Sequence, residues 1–141
     1  VGNKKVIKKA AALQSQSTSN VCSFVQRGAI EALNCDNNFF INMNEKYDKR
    51  RQVLYQGLSK INGIFLKPPC GAFYAFPRLP RANKNYSSID FCKNLLDDFG
   101  LVIVPGKAFG NDECVRISFA SSLDKINDGL NRFKKAIQEY Y

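Results

Sequence analysis

Near the end of the chain, Leu123, Ile126, Leu130, Phe133 and Ile137 recur at intervals of three, four, three and four residues. That spacing puts all five on one side of a helix and leaves the other side polar. Directly before it, residues 114–120 alternate instead. Val115, Ile117 and Phe119 point one way, and Arg116 and Ser118 the other, as in a strand with two unlike faces. A strand feeding a one-faced helix buries its apolar side only if helix and sheet pack together. The expected fold is therefore two-layer α/β, a small mixed or antiparallel sheet covered by helices.

The remaining chain supplies the other elements. A short helix is expected over residues 3–13, then a polar, turn-prone stretch from Gln14 to Asn20. Asn20 is a candidate cap for a helix ending near Leu33, with Val21, Val25, Ala29 and Ala32 on one face and Cys22 as a small apolar residue. Tyr47, Leu54, Leu58 and Ile61 mark a longer helix at about 40–60, with Lys49, Arg50 and Gln52 toward water, stopped by Asn62-Gly63. Ile64–Leu66 reads as a short strand, and Gly71–Phe76 as a strand buried on both faces. Residues 77–87 read as a basic, mobile loop. Ser87 or Ser88 then caps a helix with the stripe Ile89, Cys92, Leu95, Leu96 and Phe99, and Gly100 ends it. Leu101–Val104 is a further short strand, closed by Pro105-Gly106.

With 141 residues and 45% hydrophobic content, the chain is long enough for one true core. Its formal charge of +9 raises the question of a nucleic-acid partner. The basic residues are scattered, and the aromatics sit mostly at apolar positions rather than between the charges. Solvated helix faces are the simpler reading, and no nucleic-acid partner is expected. There is no His, and the five Cys at 22, 35, 70, 92 and 114 form no C-x-x-C pair. These features argue against a closed zinc site and for reduced thiols in a cytoplasmic protein. No apolar run approaches the roughly 18 residues a membrane span requires. Val1 is not an initiator methionine, and the chain reads as the tail of a longer one.

Arg116 is the first candidate for chemistry. A strand is a rigid mount, and a guanidinium fork matches a carboxylate with two parallel hydrogen bonds. A structural ion pair, or an edge-strand arginine that discourages aggregation, is the competing explanation. The loop Val104-Pro105-Gly106-Lys107-Ala108-Phe109-Gly110 is the second candidate. Phe109 could wall a pocket there, and backbone N–H groups could meet an anion. The loop lacks the glycine spacing and terminal Lys-Ser/Thr of a P-loop. Nothing near Lys107 points to an activated amine. The Gln14–Asn20 cluster either lines a polar site or simply caps and connects.

Four segments together carry a family resemblance. They are Ser15-Gln16-Ser17-Thr18-Ser19-Asn20 with Gln26 and Glu31-Ala32-Leu33; Tyr47–Arg51 with Gly57-Leu58; Pro69-Cys70-Gly71-Ala72-Phe73-Tyr74; and Val104-Pro105-Gly106-x-x-Phe109-Gly110 leading to Val115-Arg116-Ile117-Ser118-Phe119-Ala120. In this order the chain resembles the C-terminal part of class I, fold-type I, pyridoxal-phosphate aminotransferases, especially prokaryotic-type aspartate aminotransferases. The resemblance implies that Arg116 binds the substrate α-carboxylate and that Phe109 walls the substrate pocket. Ser17, Thr18 and Ser19 are implied neighbours of the active site or subunit boundary, while Gly71 and Phe73 are structural.

The resemblance further implies that residues 1–34 are a connecting and interface segment of the large domain and that 35–141 are the C-terminal small domain, which closes over substrate. The complete enzyme would be a homodimer using pyridoxal 5'-phosphate to move an amino group between an amino acid, such as L-aspartate, and a 2-oxo acid, such as 2-oxoglutarate. The lysine that holds the cofactor, and most groups that contact it, belong upstream in such enzymes. This stretch alone is therefore expected to bind no cofactor and to be inactive. An aromatic or other class I aminotransferase, a lyase on the same fold, and a basic nucleic-acid-binding module are the alternatives.

Overall fold

In the computed structural model, residues 2–80 and 87–141 are described. They fall into two units, Val1–Phe40 and Ile41–Tyr141. The first carries α1 (Lys4–Ser17) and α2 (Ser23–Leu33), and α3 (Asn37–Ser59) begins at its end. The second holds most of α3, then β1 (Tyr74–Ala75), α4 (Ser88–Phe99), β2 (Val104–Pro105), a 3-10 helix (Gly106–Phe109), β3 (Val115–Ser118) and α5 (Leu123–Tyr140).

The three strands form one antiparallel sheet in the order β1-β3-β2. Tyr74 pairs with Ser118, and Val104 with Arg116, so β3 is the middle strand. Helices and sheet share a core: Leu54 and Leu58 of α3, Phe91 and Leu95 of α4, Ala75, Val115 and Phe119 around the sheet, and Ile126, Phe133 and Ile137 of α5. Phe91 meets Phe133 edge to face, with ring centroids 5.9 Å apart. The expected α/β architecture is present, and so is the α5 stripe that implied it. Ser122 caps α5 by accepting the Lys125 N–H. Gly100 ends α4 at φ +60°, a left-handed conformation that costs glycine least.

Several local expectations need correction. The first helix does not stop at Leu13; it runs through Gln14–Ser17, where the hydroxyls of Ser15 and Ser17 donate back to the carbonyls of Ala12 and Leu13 at 2.8 and 3.0 Å instead of forming a turn. Asn20 caps nothing. The next helix starts at Ser23 behind Cys22, and the Gln26 side chain donates to the Val21 carbonyl at 2.6 Å. Cys22 is exposed, not packed. The third helix starts at Asn37, where the Asp36 carboxylate accepts the Asn38 N–H. Arg50 is half-buried rather than in water, its guanidinium 5.2 Å from the Tyr47 ring centre.

The sheet is also shorter than expected. Ile64–Leu66 contributes only a single bridge, Phe65 to Arg78. Gly71–Phe76 reduces to Tyr74–Ala75, with Ala72 at φ +56°, and it is not buried on both faces. Ala75 and Pro77 point inward, while Tyr74 and Phe76 stay accessible. Leu101–Val104 yields its strand only at Val104–Pro105. The α4 stripe is rotated: Ser88, Phe91, Cys92 and Leu95 are buried, and Ile89 and Leu96 are exposed. Of the supposed mobile loop at 77–87, Arg81–Tyr86 lie outside the described residues. Pro77–Leu79 extend the sheet edge, with Arg78 bridging Phe65 and Cys114 and the Leu79 N–H reaching the Glu113 carbonyl.

Candidate functional site

The sheet has one face in the core and one face accessible. Val115 is fully buried on the core side. The pairing of β1 with β3 places Tyr74 and Ser118 together on the accessible side. By strand alternation Arg116 shares it. The arginine's guanidinium carbon lies 5.0 Å from the Tyr74 ring centre and 4.6 Å from that of Phe109. Two ring faces thus hold the planar group while leaving its N–H edge available. Among the described residues no carboxylate lies within ion-pair distance of Arg116. Since β3 is the middle strand, Arg116 is not an edge-strand guard. The structure thus brings Arg116 and Phe109 together, and adds Tyr74. It also adds Phe76, whose ring meets Phe109 edge to face at 6.1 Å. On the flank of Tyr74 and Phe76 a groove of about 440 Å³ includes Phe65, Lys67 and Arg78 in its lining.

Phe109 ends the 3-10 helix, and the fold fixes that helix at several points. A Cβ on Gly106 would lie 2.2 Å from the Cys114 carbonyl oxygen, so only glycine fits the close approach of the two backbones. The Gly106 N–H donates to that carbonyl at 2.8 Å. The Lys107 N–H donates to Ser88 Oγ at 3.2 Å, Gly110 to the Lys107 carbonyl, and Asn111 to the Gly106 carbonyl. These four N–H groups are used in shaping the loop and are not free to meet an anion. The Lys107 ammonium is exposed and sits 3.9 Å from Asp112.

Ser88 is the one buried polar residue in the described core. Its hydroxyl and its N–H both donate to Asp112 Oδ1, at 2.6 and 2.9 Å. These two bonds from Ser88, and to a smaller degree the Lys107 charge, hold the Asp112 carboxyl below its usual range. No local motif joins Ser88 to Asp112; 24 residues separate them. Tyr74 was legible only as one member of an aromatic run. Its signal was the small Ala75 set between two large rings, the mark of a two-faced strand.

Ser17, Thr18 and Ser19 belong to the first unit, at the end of α1. Ser17 Oγ is committed to the Leu13 carbonyl, Thr18 closes the helix, and Ser19 has φ +57°. All three are exposed.

Comparison with known proteins places this geometry in a family. The family model for aminotransferase class I and II matches residues 1–133. Aspartate aminotransferase of Bacillus subtilis (strain 168) is 37% identical over 99% of this chain, which covers 36% of that protein. A probable aspartate/prephenate aminotransferase of Aquifex aeolicus (strain VF5) is 40% identical over 92% of the chain, which covers 34% of it. The solved structure of an aspartate aminotransferase from Rhizobium meliloti superposes with a TM-score of 0.85 at 33% identity, covering 99% of this chain and 37% of that one. The chain thus spans about a third of the length of the curated relatives it matches. It has the small α/β fold of the C-terminal part of fold-type I aminotransferases, and it belongs to the class I and II aminotransferase family.

Proposed function

We propose that this chain is the carboxylate-clamping part of a pyridoxal-phosphate-dependent aminotransferase that exchanges an amino group between aspartate, or a related amino acid, and a 2-oxo acid. In this reading Arg116 takes the substrate's α-carboxylate in a bidentate grip. The observation that carries it is the Arg116 guanidinium on the middle strand, held by the rings of Tyr74 and Phe109 and without an acidic partner among the described residues. A fixed fork of this kind sets the orientation of a small acid, which is the protein's part in a reaction of this type. The names of the Bacillus and Rhizobium relatives support aspartate as donor.

The cofactor, when bound, supplies the electron sink for amino-group transfer. The loop from Gly106 to Asn111 does not fit the role of its seat. That seat needs an amine free to bond its aldehyde carbon and donors for its phosphate. Here the exposed Lys107 ammonium faces Asp112, and the N–H groups of Gly106, Lys107, Gly110 and Asn111 have internal acceptors. We assign the cofactor's lysine to the upstream part of a complete enzyme, and the isolated chain is inactive on this account. Residues 1–34 would then be the connecting and interface segment, with Ser17–Ser19 near the subunit boundary, and 35–141 the small domain of a homodimer. Five free thiols suit a cytoplasmic protein. No helix among the described residues is long and apolar enough to cross a membrane.

One observation favours a second substrate class. Tyr74 and Phe109 flank the arginine, and Phe76 extends the aromatic surface beyond Phe109, which suits a donor with an aromatic side chain. The test is a crystal structure of the complete protein with an unreactive substrate analogue. Two parallel N–H···O bonds of roughly 2.8 Å between Arg116 and the α-carboxylate are expected. An α-carboxylate seated on another cation would refute the assignment.

A further inference from the structure

We infer that Ser88 and Asp112 are positioning residues for the carboxylate site: together they brace the 3-10 helix so that Phe109 keeps Arg116 in its binding orientation. The inference rests on the reading of Arg116 as the carboxylate clamp, and it begins from a cost. Ser88 is fully buried in an otherwise apolar core. A buried hydroxyl is tolerated when its donor and acceptor capacities are both met, and here both are. The hydroxyl donates to Asp112 Oδ1 at 2.6 Å and accepts the Lys107 N–H at 3.2 Å. The backbone N–H of Ser88 adds a second donation to the same carboxylate oxygen at 2.9 Å. Ser88 opens α4, so one side chain ties that helix, the turn after the 3-10 helix, and the 3-10 helix itself.

The tie acts on one short segment with the site at its far end. Lys107, which donates to Ser88, is the second residue of the 3-10 helix, and Phe109 is the last. Gly106 is clamped to Cys114 at the other side, and Cys114 is two residues before Arg116. The Phe109 ring lies 4.6 Å from the Arg116 guanidinium carbon and is itself half-exposed. Phe76 meets it edge to face, with centroids 6.1 Å apart, and covers only part of its surface. The ring is therefore held by the backbone that carries it more than by packing around it. Without the Ser88–Asp112 brace the 3-10 helix keeps its bond to Cys114 and the turn that closes it at Gly110 and Asn111, and loses its tie to α4. Phe109 then swings, and the guanidinium keeps only the Tyr74 face.

A purely structural role for Ser88 would lower stability and leave the site unchanged, so the test reads the site. In the complete enzyme, Ser88→Ala is expected to raise KM for carboxylate substrates about tenfold, the scale of a lost hydrogen bond to a charged group, with kcat nearly unchanged. Asp112→Asn should behave alike, and Ser88→Thr should restore KM. The effects should not add: Ser88→Ala made on top of Phe109→Ala should raise KM no further. Unchanged KM with a lowered Tm, or full additivity with Phe109→Ala, overturns the inference.

A second readout does not depend on what Arg116 binds. The Nε–Hε proton of Arg116 lies near two ring faces, and Ser88→Ala should move its NMR shift while Ser88→Thr should not. A resonance that stays put in Ser88→Ala also overturns the inference. A moved resonance with kinetics insensitive to Arg116→Lys would instead uphold the brace and defeat the carboxylate-clamp reading.

Discussion

The two units of this chain use the same ingredients to different ends. In the first, α1 and α2 bury no residue, and Val6, Leu13, Phe24, Ile30 and Leu33 all lie exposed. In the second, α3, α4 and α5 meet a sheet, and Leu58, Phe91, Leu95, Phe119, Phe133 and Ala136 have almost no accessible surface. Amphipathic patterning makes a helix possible in both. Only where a second layer lies across the apolar stripe does that stripe become core and contribute to stability.

The largest test of this contrast is a pair of truncations. Phe133→Ala removes a ring packed against Phe91 and should cost about 3–5 kcal/mol in denaturant unfolding. Phe24→Ala, in the same 141-residue chain, removes a ring that is 75% exposed and should stay within about 0.5 kcal/mol. Equal costs would break the distinction between the units.

A second test sharpens it with the protein's own thiols. Cys22, Cys35 and Cys70 are exposed, and Cys92 and Cys114 are buried. Burial pushes the Cys92 thiol up to about 11, and Cys114 is raised by burial and then by Glu113. Three thiols should therefore react rapidly with an alkylating reagent at neutral pH and two should resist, as peptide mapping would show. Because the folded chain holds the Cys92 proton more tightly than the unfolded chain, that contribution to stability is intact below about pH 9. It is lost as pH rises through about 11. Rapid labelling of Cys92 in the native protein would contradict its placement in the core.

What the sequence disclosed follows the range of each signal. The α5 stripe and the alternation around Arg116 were legible because period and burial agree over many residues. The helix that runs on through Ser17 was hidden, since serine hydroxyls bonding their own helix look, in one dimension, like turn residues. The same ambiguity made Asn20 a plausible cap. The Gly71–Phe76 run misled because aromatic residues were taken as buried, whereas Tyr74 and Phe76 are the wall of an accessible face. Arg116 and Phe109 were singled out from motif and chemistry together, and the fold sets them side by side. The Ser88–Asp112 bond, between residues distant in the chain, left no local trace.

The central claim is that Arg116 grips the substrate's α-carboxylate, and substitution of its fork tests this most directly. Arg116→Lys in the complete enzyme keeps the charge and removes the bidentate geometry. The account predicts that kcat/KM falls roughly 10- to 100-fold for every amino acid and 2-oxo acid alike, because all of them carry that carboxylate. Unchanged kinetics, or a loss confined to substrates with one type of side chain, would contradict it.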